Sequence, residues 1–142
     1  MKDFEDGVQT ACALESNLDA KPSSGVLDWL DAQPQVALYL NVITIGEIAK
    51  GISRLPESNR KRQLAGWLNQ DLMARFERRI IGLDVATMQL WGDLVGQLET
   101  KGRVLPVMDS LIAAIAIQNS LTLATRNEAD LVGTGVAIVN PW

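Results

Sequence analysis

The segment VLPVMDSLIAAIAIQNSLTLAT (104–125) leaves this chain little freedom in what it can fold into. VLPVM (104–108) reads as extended, Asp109 and Ser110 open a helix that runs through Gln118, and Asn119 ends it. LTLAT (121–125) then has the β-branched content of a strand, and VAIV (136–139) follows a Gly-Thr-Gly turn as another. Apolar strands separated by helices are too far apart for tight hairpins. They pair in parallel and place their connecting helices on the faces of the sheet.

The residues upstream follow the same alternation. Ser23 and Ser24 are candidate caps for a short helix carrying Val26, Leu27 and Leu30, closed by Pro34. VALYLNVI (36–43) is apolar on both faces, as a buried strand requires. Thr44 is expected to start a helix with Ile45, Ile48, Ala49 and Ile52 at core spacing, and LPES (55–58) to turn the chain. A longer helix from Ser58 to about Phe76 carries the stripe Leu64, Trp67, Leu68, Leu72 and Phe76. RIIGL (79–83) reads as a short strand. Asp84 caps a further helix with Val85, Met88, Trp91, Leu94, Val95 and Leu98, and Gly102 stops it. The fold class is α/β, with a central, mostly parallel sheet. At 142 residues and 47% hydrophobic content the chain is the size of one domain, 1–142, with a real core. Residues 1–20 support a first strand poorly, because KDFEDGVQ is too polar for a buried one.

Composition removes whole classes of chemistry. There is no histidine, so Ser-His-Asp triads, Cys-His pairs and His-ligated zinc are excluded. The lone cysteine, Cys12, forms no internal disulfide or thiolate cage, and fits a reducing cytoplasm. Thirteen basic residues against 17 acidic give net charge −4, which argues against a protein that coats nucleic acid through a basic surface. The apolar run LIAAIAI (111–117) is too short for a membrane span, and no signal peptide is visible. Neither phosphate-cradling glycine motif occurs. Any catalysis therefore rests on carboxylates, hydroxyls, lysine or arginine.

Three carboxylates stand where a parallel sheet places function, at strand C-termini or in the turn that follows. Glu47 lies in VITIGE, Asp109 in LPVMDS and Asp130 in TRNEAD. Converging carboxylates repel one another unless a cation sits between them, and Mg2+ or Mn2+ is the hard cation that such oxygens suit. A metal so held activates water and steadies charge on a phosphodiester. Each acid also has a plain structural reading. Thr44-Ile-Gly-Glu47 is a capping box in text, Asp109 an N-cap, and Asp130 a solvated turn residue.

VITIGEIAKGI (42–52), RVLPVMDSLIAAIA (103–116) and LTLATRNEADLVGTGVAIVNPW (121–142) closely resemble the PIN-domain ribonucleases. The similarity is to their VapC/FitB branch, the toxins of bacterial type II toxin–antitoxin modules, and covers roughly residues 21–142. It implies a three-layer α/β/α fold and a Mg2+- or Mn2+-dependent endoribonuclease. It further implies a cytoplasmic homodimer restrained by a cognate antitoxin, with RNA as substrate. By position, Glu47, Asp109 and Asp130 match the family's metal-binding acids, and Thr125 and Asn127 match its supporting polar residues. Arg126 is a candidate phosphate contact or an ordinary solvated arginine.

The chain departs from the family at its start. Anchoring on Lys21-Pro22 and Cys12 puts Thr10 where the family carries its first acid. Three readings follow: a local frame change rewrote the first twenty residues; Asp6, Glu15 or Asp19 substitutes as ligand; or cutting was lost and the fold persists as an RNA- or antitoxin-binding module. A phosphoacceptor receiver domain is a weaker option, since no lysine follows Lys101 to fill its late strand end.

Overall fold

Asn41 ends the short strand β1 (Leu40–Asn41) and caps the helix that follows, α1 (Val42–Ser53). Its side-chain oxygen accepts from the Thr44 amide at 2.8 Å. In this computed structural model, which describes Asp28, Ala32, Pro34 and residues 37–141, the helix therefore starts earlier than Thr44. The capping box expected of Thr44 and Glu47 is replaced by an Asn cap, and most of the extended run 36–43 is not strand. Removing the cap oxygen leaves one first-turn N–H without a partner. Asn41→Ala is expected to cost about 1 kcal/mol, read as a lower urea midpoint at constant slope. Asp28 and Ala32 are helical, while the rest of the helix expected before Pro34, and everything before it, lies outside the described residues.

The chain forms two compact units, Met1–Ile80 and Ile81–Trp142. In the first, α1 buries Ile48 and Ile52. Ser58, where the sequence placed the start of the helix, caps α2 (Asn59–Gly66) through the Lys61 amide at 3.2 Å. The helix continues through a π-helical turn, Trp67–Leu72, into α3 (Met73–Arg75). Leu68, Leu72 and Phe76 are buried. Their four-residue spacing explains the wide turn: a regular α-helix rotates such a series steadily off its face, and a π turn brings it back. Arg79 then locks the end of the unit. Its guanidinium lies 5.3 Å from the Phe76 ring centroid and donates to Leu38 O at 2.8 Å, while its own carbonyl accepts from the Leu40 amide. These bonds bring β1 beside β2 (Ile80–Ile81).

In the second unit Asp84 caps α4 (Val85–Thr100) through the Thr87 amide at 2.8 Å. The Thr87 hydrogen bonds hold the Asp84 carboxyl below the usual aspartate range. The expected stripe holds at buried Leu98 and at half-buried Trp91, Leu94 and Val95, but not in the first turn of α4, where Val85 and Met88 are exposed. Thr87 is 1% exposed, whereas Val85 at its start is 74% exposed. Helix α4 packs on α5 (Val107–Gln118), whose Ala113 and Ala114 are wholly buried. Helix α5 ends in a Schellman motif. Leu121 N–H reaches back to Ala116 O and Ser120 N–H to Ile117 O, with Ser120 in the left-handed conformation at φ 54°. The strands β3 (Leu123–Ala124) and β4 (Ile138–Val139) pair in parallel, Leu123 opposite Ile138 and Ala124 opposite Val139. That is the arrangement which the strand–helix–strand spacing required.

Candidate active site

Pro106 fixes where α5 begins. It has no N–H, and its extended ψ of 135° turns the chain directly into a helix starting at Val107. Asp109 is thus a first-turn residue of α5, not its cap. A carboxylate there faces the unsatisfied amides and positive pole of the helix. Ser110 fixes the same turn from within. It is 1% exposed, its hydroxyl donates to Val107 O at 2.6 Å, and it accepts from Trp91 Nε1 at 2.9 Å. Both polar atoms are satisfied, and α4 is tied to α5 one residue from Asp109.

Asp130 is on α6 (Glu128–Leu131), a single turn reached from β3 through Thr125-Arg126-Asn127. The Thr125 hydroxyl accepts from the Asn127 amide at 3.1 Å and shapes that turn. Arg126 is exposed. Helix α6 packs against α5, which brings Asp130 towards Asp109. Burial pushes the Asp109 carboxyl above the usual aspartate range, and the charge of Asp130 pushes it further. Among the described residues neither carboxylate accepts a hydrogen bond or joins an ion pair.

Glu47 lies in the first unit, exposed on α1 in its second turn. With Asn41 as the cap, Glu47 does not stand at the capping-box position that its sequence context suggested. Within the second unit no third His, Cys, Asp or Glu among the described residues joins the Asp109–Asp130 pair as a ready metal cage. The donor set still fits a hard divalent cation. Two carboxylates that repel each other are stabilised by a dication, and their oxygens are the ligands that Mg2+ and Mn2+ take. Thr10, the position aligned with the family's first acid, lies outside the described residues. The sequence reading missed Ser110 and Trp91 as partners, and it missed Arg103, which bonds to the backbone of α6. No local pattern signals the last of these, because the contact spans 27 residues.

Comparison with known proteins identifies the family and the fold. The family model "PIN domain" matches residues 9–131. The plasmid stability protein StbB of Pseudomonas syringae pv. tomato is 34% identical, over 86% of this chain and 88% of its own length. The VapC ribonuclease Y4jK of Sinorhizobium fredii is 32% identical, over 87% and 88%. The toxin FitB of Neisseria gonorrhoeae is also 32% identical, over 91% and 93%. The crystal structure of FitAcB from N. gonorrhoeae superposes with a TM-score of 0.84 at 30% identity, covering 94% of this chain and 95% of that one. The PIN fold is a three-layer α/β/α arrangement, with which the mixed helices and parallel strand pair agree. This chain belongs to the PIN-domain family, among relatives named as VapC, FitB and StbB.

Proposed function

We propose that this protein is a divalent-metal-dependent endoribonuclease, the toxin of a type II toxin–antitoxin module, which hydrolyses RNA phosphodiester bonds. The observation that carries the reading is the Asp109–Asp130 pair, two carboxylates without a hydrogen-bond or ion-pair partner among the described residues, whose mutual repulsion a cation would relieve. The similarity to a protein named a VapC ribonuclease and to one named a toxin supports the substrate and the biological setting. The family match crosses from the first unit into the second, which supports reading residues 1–142 as a single PIN-like domain.

Asp109 and Asp130, with Glu47 by its position in the sequence, are the residues that would hold Mg2+ or Mn2+. Such a cation supplies Lewis-acid charge for activating water and for offsetting charge on the phosphodiester. Thr125 and Asn127 set the turn that carries α6, and Arg126, exposed beside it, is suited to contact RNA phosphate. A cognate antitoxin, a homodimeric assembly and a cytoplasmic setting complete the proposal. No helix among the described residues is long and apolar enough to cross a membrane.

The second reading, a PIN fold that binds RNA or antitoxin without cutting, draws its support from Thr10 standing where an acid is expected. One experiment separates the two. Purified protein and Asp109→Asn are incubated with structured RNA in Mg2+, in Mn2+ and in chelator. Cleavage that needs metal and disappears in the variant supports the nuclease. Equal cleavage by both proteins sinks the catalytic assignment, and RNA binding without cleavage selects the second reading.

A further inference from the structure

The four carbonyls of α6 have an unusual set of partners. In a helix this short almost every C=O lacks an intrahelical donor, and an isolated single turn does not hold itself together. Glu128 O accepts from the Val132 amide at 3.1 Å. Leu131 O accepts from the Thr134 amide at 3.2 Å and from the Thr134 hydroxyl at 2.7 Å. The remaining two, Ala129 O at 3.2 Å and Asp130 O at 2.8 Å, both accept from one nitrogen, Arg103 Nη2.

Arg103 reaches them from a fixed base. Helix α4 ends in a Schellman motif, with Arg103 N–H donating to Leu98 O at 2.9 Å and Gly102 N–H to Glu99 O at 2.9 Å. Gly102 takes the left-handed turn at φ 80°. Arg103 is the residue just beyond that turn, so its backbone is set by the hydrogen bonds that close α4. On the receiving side Gly133, at φ 89°, leaves room for the guanidinium. A Cβ there would stand 2.8 Å from Arg103 Nη1. The cation also lies at the C-terminal pole of α6, where its charge is favoured.

We infer that Arg103 is a positioning residue for the candidate site: by tying both unpaired carbonyls of α6 to the end of α4, it fixes where Asp130 stands relative to Asp109. The inference rests on the reading of those two acids as cation ligands. It adds a residue that touches neither cation nor RNA and acts only through the Asp130 backbone. Residues that orient ligands in this way typically change metal affinity by about 10- to 100-fold when altered.

The test uses full-length protein and two readouts besides cleavage. Mn2+ affinity is measured by calorimetry for the parent, Asp130→Asn, Arg103→Gln and Arg103→Lys. Amide hydrogen exchange is followed at Val132 and Thr134 in metal-free protein. The expected result is roughly tenfold weaker Mn2+ binding in Arg103→Gln, partial recovery in Arg103→Lys and faster exchange at both amides. Should Arg103→Gln not fold, Gly133→Ala, which crowds the same guanidinium, takes its place. Unchanged affinity and exchange in Arg103→Gln, with binding lost in Asp130→Asn, overturns the inference and leaves the site standing. Unchanged affinity in Asp130→Asn instead removes the site reading itself.

Discussion

Asp109→Asn is expected to lower metal-dependent RNA cleavage by roughly two to three orders of magnitude, the range seen when one electrostatic contact of a preorganised site is removed. The amide keeps the shape of the side chain but supplies no negative charge for a dication. Stability moves the other way. Burial and Asp130 raise the Asp109 pKa in the folded protein, so the fold binds that proton more tightly than the unfolded chain does. The acid therefore costs nothing below its ordinary value of 3.8, and its penalty grows as pH rises through the folded pKa. In chelator at neutral pH, Asp109→Asn is expected to be more stable than the parent. The gain stays below about 1 kcal/mol because much of the group faces solvent. Below the ordinary value the two proteins are expected to melt alike. A variant less stable than the parent at neutral pH without metal would contradict the repulsion on which the site reading depends.

Phe76→Ala is expected to cost about 3–5 kcal/mol, a large share of the stability of a domain this size. The ring is 4% exposed and ends the stripe of Leu68 and Leu72. It also supports the Arg79 guanidinium, which in turn holds Leu38 O. Truncation opens a cavity under the helix and loosens the bonds that bring β1 and β2 together. Urea unfolding followed by tryptophan fluorescence measures the loss. A cost below about 1 kcal/mol would mean that the site collapses around the missing ring or that Phe76 is not a core residue.

Residues whose role is local were legible in the sequence. Ser58, Asp84, Gly102 and Asn119 mark helix ends because capping chemistry acts over three or four residues. The parallel pairing of β3 and β4 was expected from the strand–helix alternation of the whole chain, although the short helix α6 between these two strands was not. The start of α1 was misplaced because Asn41 and Thr44 are both good caps, three residues apart, and only the competition between strand and helix chooses between them. Asp109 was located, but its place in the first turn depends on Pro106 ending the extended run earlier than VLPVM suggested. The burial of Thr87 in place of Val85 is set by tertiary packing, which no pattern within α4 encodes. Strand ends alone grouped Glu47, Asp109 and Asp130; of these, Asp130 lies near enough for its charge to act on Asp109, and Glu47 belongs to the other unit. The device that holds Asp130, Arg103, is a side chain bonding to distant backbone and leaves no periodic trace.

The wide turn at Trp67–Leu72 has a consequence for chain length. Leu64, Leu68, Leu72 and Phe76 recur every four residues, and Asn69 and Gln70 between them are exposed. Deleting Gln70 would change those intervals to four, three and four, the spacing of an ordinary α-helical face. A shortened protein is therefore expected to rewind this segment as a regular helix and to melt within a few degrees of its parent, whereas deleting a residue from the middle of α4 or α5 would turn half the helix out of the core. At this one helix the fold has a residue to spare, and natural length variation among similar chains has a place to occur without disturbing either acid.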